Sequence, residues 1–123
     1  MISQIHRFHG HNSLRKIYGL GQAVRGASLS LKYLKTQRTS WRAAVVISRK
    51  VHKSAVVRNR IRRRIYEIIR NNSKSITSSY DMVLTVYDSG LVEMPHDKLE
   101  ELVTQQLRTA GIISSNSSNS RQS

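Results

Sequence analysis

Arg58-Asn59-Arg60-Ile61-Arg62-Arg63-Arg64 places five guanidinium groups around one amide within seven residues. A guanidinium keeps its charge at any working pH and presents a planar fork of donors that fits a phosphate two bonds at a time. The chemistry on offer is anion recognition. No Glu or Asp lies within four residues of Arg58, Arg60 or Arg62. A helix through this stretch therefore cannot neutralise itself, and the uncompensated charge points to a polyanion.

Other reactive side chains carry less. His6, His9 and His11 are spaced closely enough to hold a metal or exchange protons, but histidines in a terminal segment more often face solvent or brush a phosphate. His52 stands among basic residues and is assigned no catalytic role. Hydrolysis by bound hard cations needs clustered carboxylates. The acids are scattered: Asp81 and Asp88 flank a strand, and Asp97, Glu100 and Glu101 sit on a helix. Gly19-Leu20-Gly21 and Gly26 lack the lysine and hydroxyl residue of a phosphate loop and read as a helix end. Tyr18, Tyr33 and Trp41 alternate with basic residues in the manner of single-strand stacking surfaces, although core packing is the commoner use of any one of them.

These residues need elements to hold them. At 3.6 residues per turn, Val57, Ile61, Ile65, Ile68 and Ile69 fall on an arc of about 120°, enough to seat one helix face on a core. Arg58 and Arg62 border that stripe on one side and Arg64 on the other; Arg60, Arg63 and Arg70 point outward. Ser54 caps this helix, which runs to about Asn71, and Arg49 to Lys53 form a basic connection into it. The alternation from Ser28 to Leu34 predicts a strand with Leu29 and Leu31 inward and Ser30 and Lys32 on the wetter face. Ala43 to Ile47, apolar throughout, predicts a central strand within 41–48, and a further strand spans 80–87. Asn12 or Ser13 caps a short first helix in which Leu14, Ile17 and Tyr18 share a face. Pro95 opens a last helix with Leu99, Leu102, Val103 and Leu107 at helical spacing.

The whole chain of 123 residues carries a net charge of +14. Sixteen basic and no acidic residues precede Glu67, so the N-terminal half is the binding half. Arginine outnumbers lysine, which favours nucleic acid over an anionic membrane. There is no cysteine to staple or ligate, no apolar leader at Met1 and no run long enough to span a bilayer, so a soluble, cytoplasmic protein is expected. One domain, 1–113, is expected, with residues 114–123 forming a Ser/Asn-rich disordered tail.

Ser48-Arg49-Lys50 through Ala55, followed by Arg58-Asn59-Arg60-Ile61-Arg62-Arg63, resembles the signature of the bacterial ribonuclease P protein component. Arg7-Phe8, Gly21, the strand ending at Ser48 and Asp81 follow in that family's order, so the likeness spans residues 5 to about 110. It implies a single-domain α/β sandwich of order αβββαβα, like domain 2 of ribosomal protein S-five, whose third early strand would lie around Arg49 to Val51. It also implies a holoenzyme in which a catalytic RNA removes the 5′ leader of precursor tRNA with Mg2+ held by RNA phosphates, the protein supplying no catalytic residue and needing no protein partner. Arg49, Lys50, Lys53, Arg58, Asn59, Arg60, Arg62 and Arg63 would then meet the catalytic RNA. Leu14, Tyr18, Lys32 and Tyr33 would line the leader cleft, with Leu14 standing where the family usually has Phe. No RNA contact is carried to Ala44, Tyr87 or Asp88. Two rivals remain: a structural RNA-binding protein, ribosomal or an assembly factor, and an independent nuclease using His6, His9 and His11.

Overall fold

In the computed structural model, which describes residues 17–37, 41–76 and 78–113, a helical turn at 17–20 (α1) leads into strands β1 (Gln22–Val24), β2 (Leu29–Lys35) and β3 (Arg42–Ile47). The long helix α2 (Ala55–Asn71), strand β4 (Tyr80–Val86) and helix α3 (His96–Ala110) follow. The order is the expected αβββαβα, but its third early strand is Gln22–Val24. Residues 49–51 are a turn closed by the Val51 amide on the Ser48 carbonyl at 3.0 Å. A three-residue strand whose first two side chains are exposed shows no period to read.

The sheet runs β1-β2-β4-β3, antiparallel except for the parallel β3–β4 pair. Strand β3 is therefore an edge, not a centre. Its apolar run, Ala43 to Ile47, reports two sheltered faces, which says nothing about how many neighbours pair with its backbone. The interior strands are β2 and β4, and in β4 Met82, Val83 and Leu84 are all fully buried.

One sheet face, carrying Leu29, Leu31, Ala43, Val45, Ile47, Met82, Leu84 and Val86, packs on α2 and α3. Helix α2 contributes Ile61, Ile65, Tyr66, Ile68 and Ile69; α3 contributes Leu99, Val103 and Leu107. Each such aliphatic side chain stabilises the fold by roughly 1.5–3 kcal/mol when fully buried. Tyr66 joins the stripe because its hydroxyl finds partners in β3, donating to the Ala43 carbonyl at 3.4 Å and accepting from the Val45 amide at 3.3 Å. The Ser54 hydroxyl accepts from the Val57 amide at 3.3 Å, capping α2 as its sequence position predicts. Helix α3 stops at Gly111, whose φ of 80° suits glycine.

Among the described residues the opposite face is barely covered. Ile17 of α1 sits on Val83, with Leu34, Ala44 and Val46 around them, and Ser30, Lys32 and Thr85 occupy the same side. Gly21 lets the chain leave α1 against the sheet: a Cβ there would stand 2.5 Å from the Ile17 carbonyl and 2.7 Å from that of Tyr33. Among the described residues two surfaces are thus left for a ligand: the outer side of α2, and this second sheet face.

Candidate nucleic-acid interface

The guanidinium groups on α2 divide by what they touch. Arg64 reaches away from the helix to the 3-10 turn at Ser89–Val92, its Nη1 donating to the carbonyls of Leu91 and Val92 at 2.7 and 2.9 Å and its Nη2 to Met94 at 2.5 Å. It is a clamp between α2 and the segment before α3. Arg58, at the border of the apolar stripe, is half-buried: its Nη1 donates to the carbonyls of His52 at 2.8 Å and Lys53 at 2.9 Å, holding the basic connection against the helix. Arg62, also half-buried, bonds the Val45 carbonyl at 3.3 Å and the Asn59 amide oxygen at 2.5 Å. Each of these two side chains keeps further N–H donors for an outside anion.

The side chains of Arg60 and Arg63, three residues apart on the exposed side of α2, have no hydrogen-bond or ion-pair partner among the described residues, and neither do those of Arg49, Lys50 and Lys53 in the connection that precedes it. The first turn of α2 carries no acid. Arg70, at the far end, differs because it pairs with Glu67. That guanidinium holds the Glu67 carboxyl below its ordinary value by hydrogen bond and charge. Five cations with unpartnered side chains among the described residues thus cluster on the first half of α2 and the connection before it.

The second surface lies on the open sheet face. Tyr18 is 44% exposed, while its helix neighbour Ile17 is buried, so the two do not share a face. The Lys32 ammonium donates to the Tyr18 carbonyl at 2.8 Å and stands 5.4 Å from the centre of its ring. A shallow groove of about 140 Å³ runs from this pair past Ser30 and Thr85 to Arg25 and Tyr87. Tyr33, the next residue along β2, points to the other face, where its hydroxyl donates to Gln22 at 2.9 Å and its ring meets Tyr80 edge-on at 6.2 Å. The structure thus joins Tyr18 with Lys32 and separates Tyr33 from both. Leu14, His6, His9 and His11 lie outside the described residues.

Sequence reading overlooked Arg25 and assigned no RNA contact to Tyr87, yet both line this groove. For Tyr87 a signal existed, since it continues the two-residue period of Val83 and Thr85. For Arg25 there was none, because the strand before it is too short to recognise. Among the described residues no three His, Asp or Glu side chains gather to hold a metal ion, and no helix is long and apolar enough to cross a membrane.

Residues 2–111 match the family model described as Ribonuclease P. The chain is 31% identical over 108 residues to the ribonuclease P protein component of Chloroflexus aurantiacus, covering 88% of this chain and 79% of that protein. It is 30% identical over 116 residues to that of Microcystis aeruginosa, covering 91% and 96%. The solved ribonuclease P protein of Staphylococcus aureus superposes with a TM-score of 0.77 at 20% identity, covering 89% of this chain and 98% of that one, a likeness of fold.

Proposed function

The chain belongs to the ribonuclease P protein family, and from that premise we propose that its Arg-rich helix docks on the ribonuclease P RNA while its open sheet face holds the 5′ leader of precursor tRNA. Members are bacterial protein components of an endoribonuclease whose catalysis belongs to RNA, in the maturation of tRNA 5′ ends. One observation carries the reading: Arg49, Lys50, Lys53, Arg60 and Arg63 are unpartnered among the described residues, over a turn and the adjoining helix face.

A cation without a protein partner loses little when it meets a phosphate, because no existing bond is broken and condensed counterions are released. Arg58 and Arg62 add donors from a rigid setting, since each is already anchored to backbone or side chain. Contacts of this kind fix position and orientation, not sequence. On the sheet, the Tyr18 ring offers a base a stacking face. Mg2+ in this proposal is held by phosphates of the catalytic RNA and substrate. A cytoplasmic location follows from the same reading.

Leader cleavage of a precursor tRNA at low Mg2+, by a bacterial ribonuclease P RNA alone, by the protein alone and by both, tests the proposal. Cleavage chiefly in the mixture is expected. Tight RNA binding without stimulation would transfer the protein to the structural RNA-binding class, and cleavage by the protein alone would make it an independent nuclease.

A further inference from the structure

We propose that Arg25 and Tyr87 form a second leader subsite, Arg25 binding a phosphate and Tyr87 stacking a base, while Lys32 positions Tyr18 and does not itself grip the leader. The inference rests on the reading above and adds to it which side chains of the groove do the binding.

The argument begins with Lys32. Its ammonium is already committed to the Tyr18 carbonyl at 2.8 Å and lies over the Tyr18 ring, so it ties the end of α1 to the middle of β2. A phosphate competing for that ammonium would loosen the ring it supports. Arg25 is the other cation of the groove. It is exposed and has no hydrogen-bond or ion-pair partner among the described residues. An unengaged guanidinium beside an exposed aromatic ring is what a single strand needs: charge for its backbone, a flat face for its base.

Tyr87 supplies that face. Tyr87 is 54% exposed, so the residue is accessible to a base. Its backbone is held, because the Tyr87 amide donates to the Ser28 carbonyl at 2.8 Å and continues the β2–β4 ladder. The neighbouring carboxylate is occupied: Asp88 Oδ1 accepts from the Gly90 amide at 2.8 Å. Along β2, the row that holds Lys32 and the row that meets Tyr87 are four residues apart, about 13 Å of strand. Tyr18 and Tyr87 both line this groove, and in the proposal they take different nucleotides. The paired Ser30 and Thr85 between them offer hydroxyls to base edges or ribose.

The test uses the reconstituted holoenzyme and precursor tRNAs with a series of leader lengths, with mature tRNA for comparison. Tyr87→Leu and Arg25→Gln should each weaken binding of long-leader substrates by about fivefold or more and leave mature tRNA unchanged. Tyr87→Phe should keep wild-type affinity. Arg25→Gln should also flatten the plot of log affinity against log salt by about 0.7, which Tyr87→Leu should not. Lys32→Gln should lower leader affinity without changing that slope. Lys35→Ala, an exposed cation of the same strand outside the groove, is the control and should change nothing. Unchanged leader dependence in both Tyr87→Leu and Arg25→Gln, with wild-type protein still stimulating cleavage, would overturn the second subsite alone. A fall in salt slope for Lys32→Gln would overturn its positioning role. If wild-type protein neither stimulates cleavage nor senses the leader, the underlying reading falls with the subsite.

Discussion

Arg42 and Asp81 face each other across the parallel β3–β4 pair, Nε to Oδ1 at 2.9 Å and Nη2 to Oδ2 at 2.7 Å, with side chains only 18% and 7% exposed. The two parallel bonds match fork to carboxylate and push the Arg42 guanidinium above its ordinary value. A pair this sheltered contributes less through its own strength than through the cost of removing one member from it. Asp81→Ala should therefore destabilise the fold by about 3 kcal/mol, because a largely buried cation loses its counter-charge. Asp81→Leu combined with Arg42→Met should recover most of that loss. Urea unfolding of the single and double variants measures it; a double variant no more stable than Asp81→Ala would show that the pair holds the edge strand through more than its charges.

The acid in that pair was visible in the sequence only as a residue opening a strand, and its partner lies 39 positions away. Nothing in local periodicity links such residues. The long helix was legible nearly to the residue because Ser54, the isoleucine spacing and Asn71-Asn72 all agree. Strand β3 was legible as a strand but not as an edge, since pairing is decided by distant chain. The unmatched cations were legible because they are local in sequence; the groove was not, because β1 is three residues long and brings Arg25 to Lys32 only through its pairing with β2.

The arginines of α2 should separate into anchors and contacts. Arg64→Ala removes three charged hydrogen bonds to buried-edge carbonyls, and a loss of about 2–4 kcal/mol in stability is expected. Arg60→Ala and Arg63→Ala should change stability by no more than about 0.5 kcal/mol. Each should nevertheless weaken binding to the ribonuclease P RNA and flatten its salt dependence, by about 0.7 per lost contact on single strands and about 0.9 on duplex. Arg58→Ala falls between them, losing about 1 kcal/mol of stability along with RNA affinity, since it ties down the turn that carries Arg49 and Lys50. Thermal unfolding and RNA titrations at several salt concentrations, run on the same four variants, distinguish the classes. Equal losses of stability for Arg60→Ala and Arg64→Ala would remove the division.

Glu67 marks where the unmatched charge ends. Arg70 holds its carboxyl below the ordinary value, so the native state binds a proton there less readily than the unfolded chain does. The sign follows: this contribution is present above the unfolded-state value of about 4.3 and is lost as pH falls through the lower native value. Glu67 and Arg70 are both solvent-accessible, so the effect on stability is small. Glu67→Gln should make the melting temperature slightly less sensitive to acidification from neutral pH to below that window. It should also release Arg70 and remove a negative charge, raising RNA affinity and steepening its salt dependence. Melting curves at the two pH extremes and one salt titration suffice to check both. If RNA affinity rises without a change in salt slope, Arg70 is not recruited to phosphate, and the binding surface ends before it.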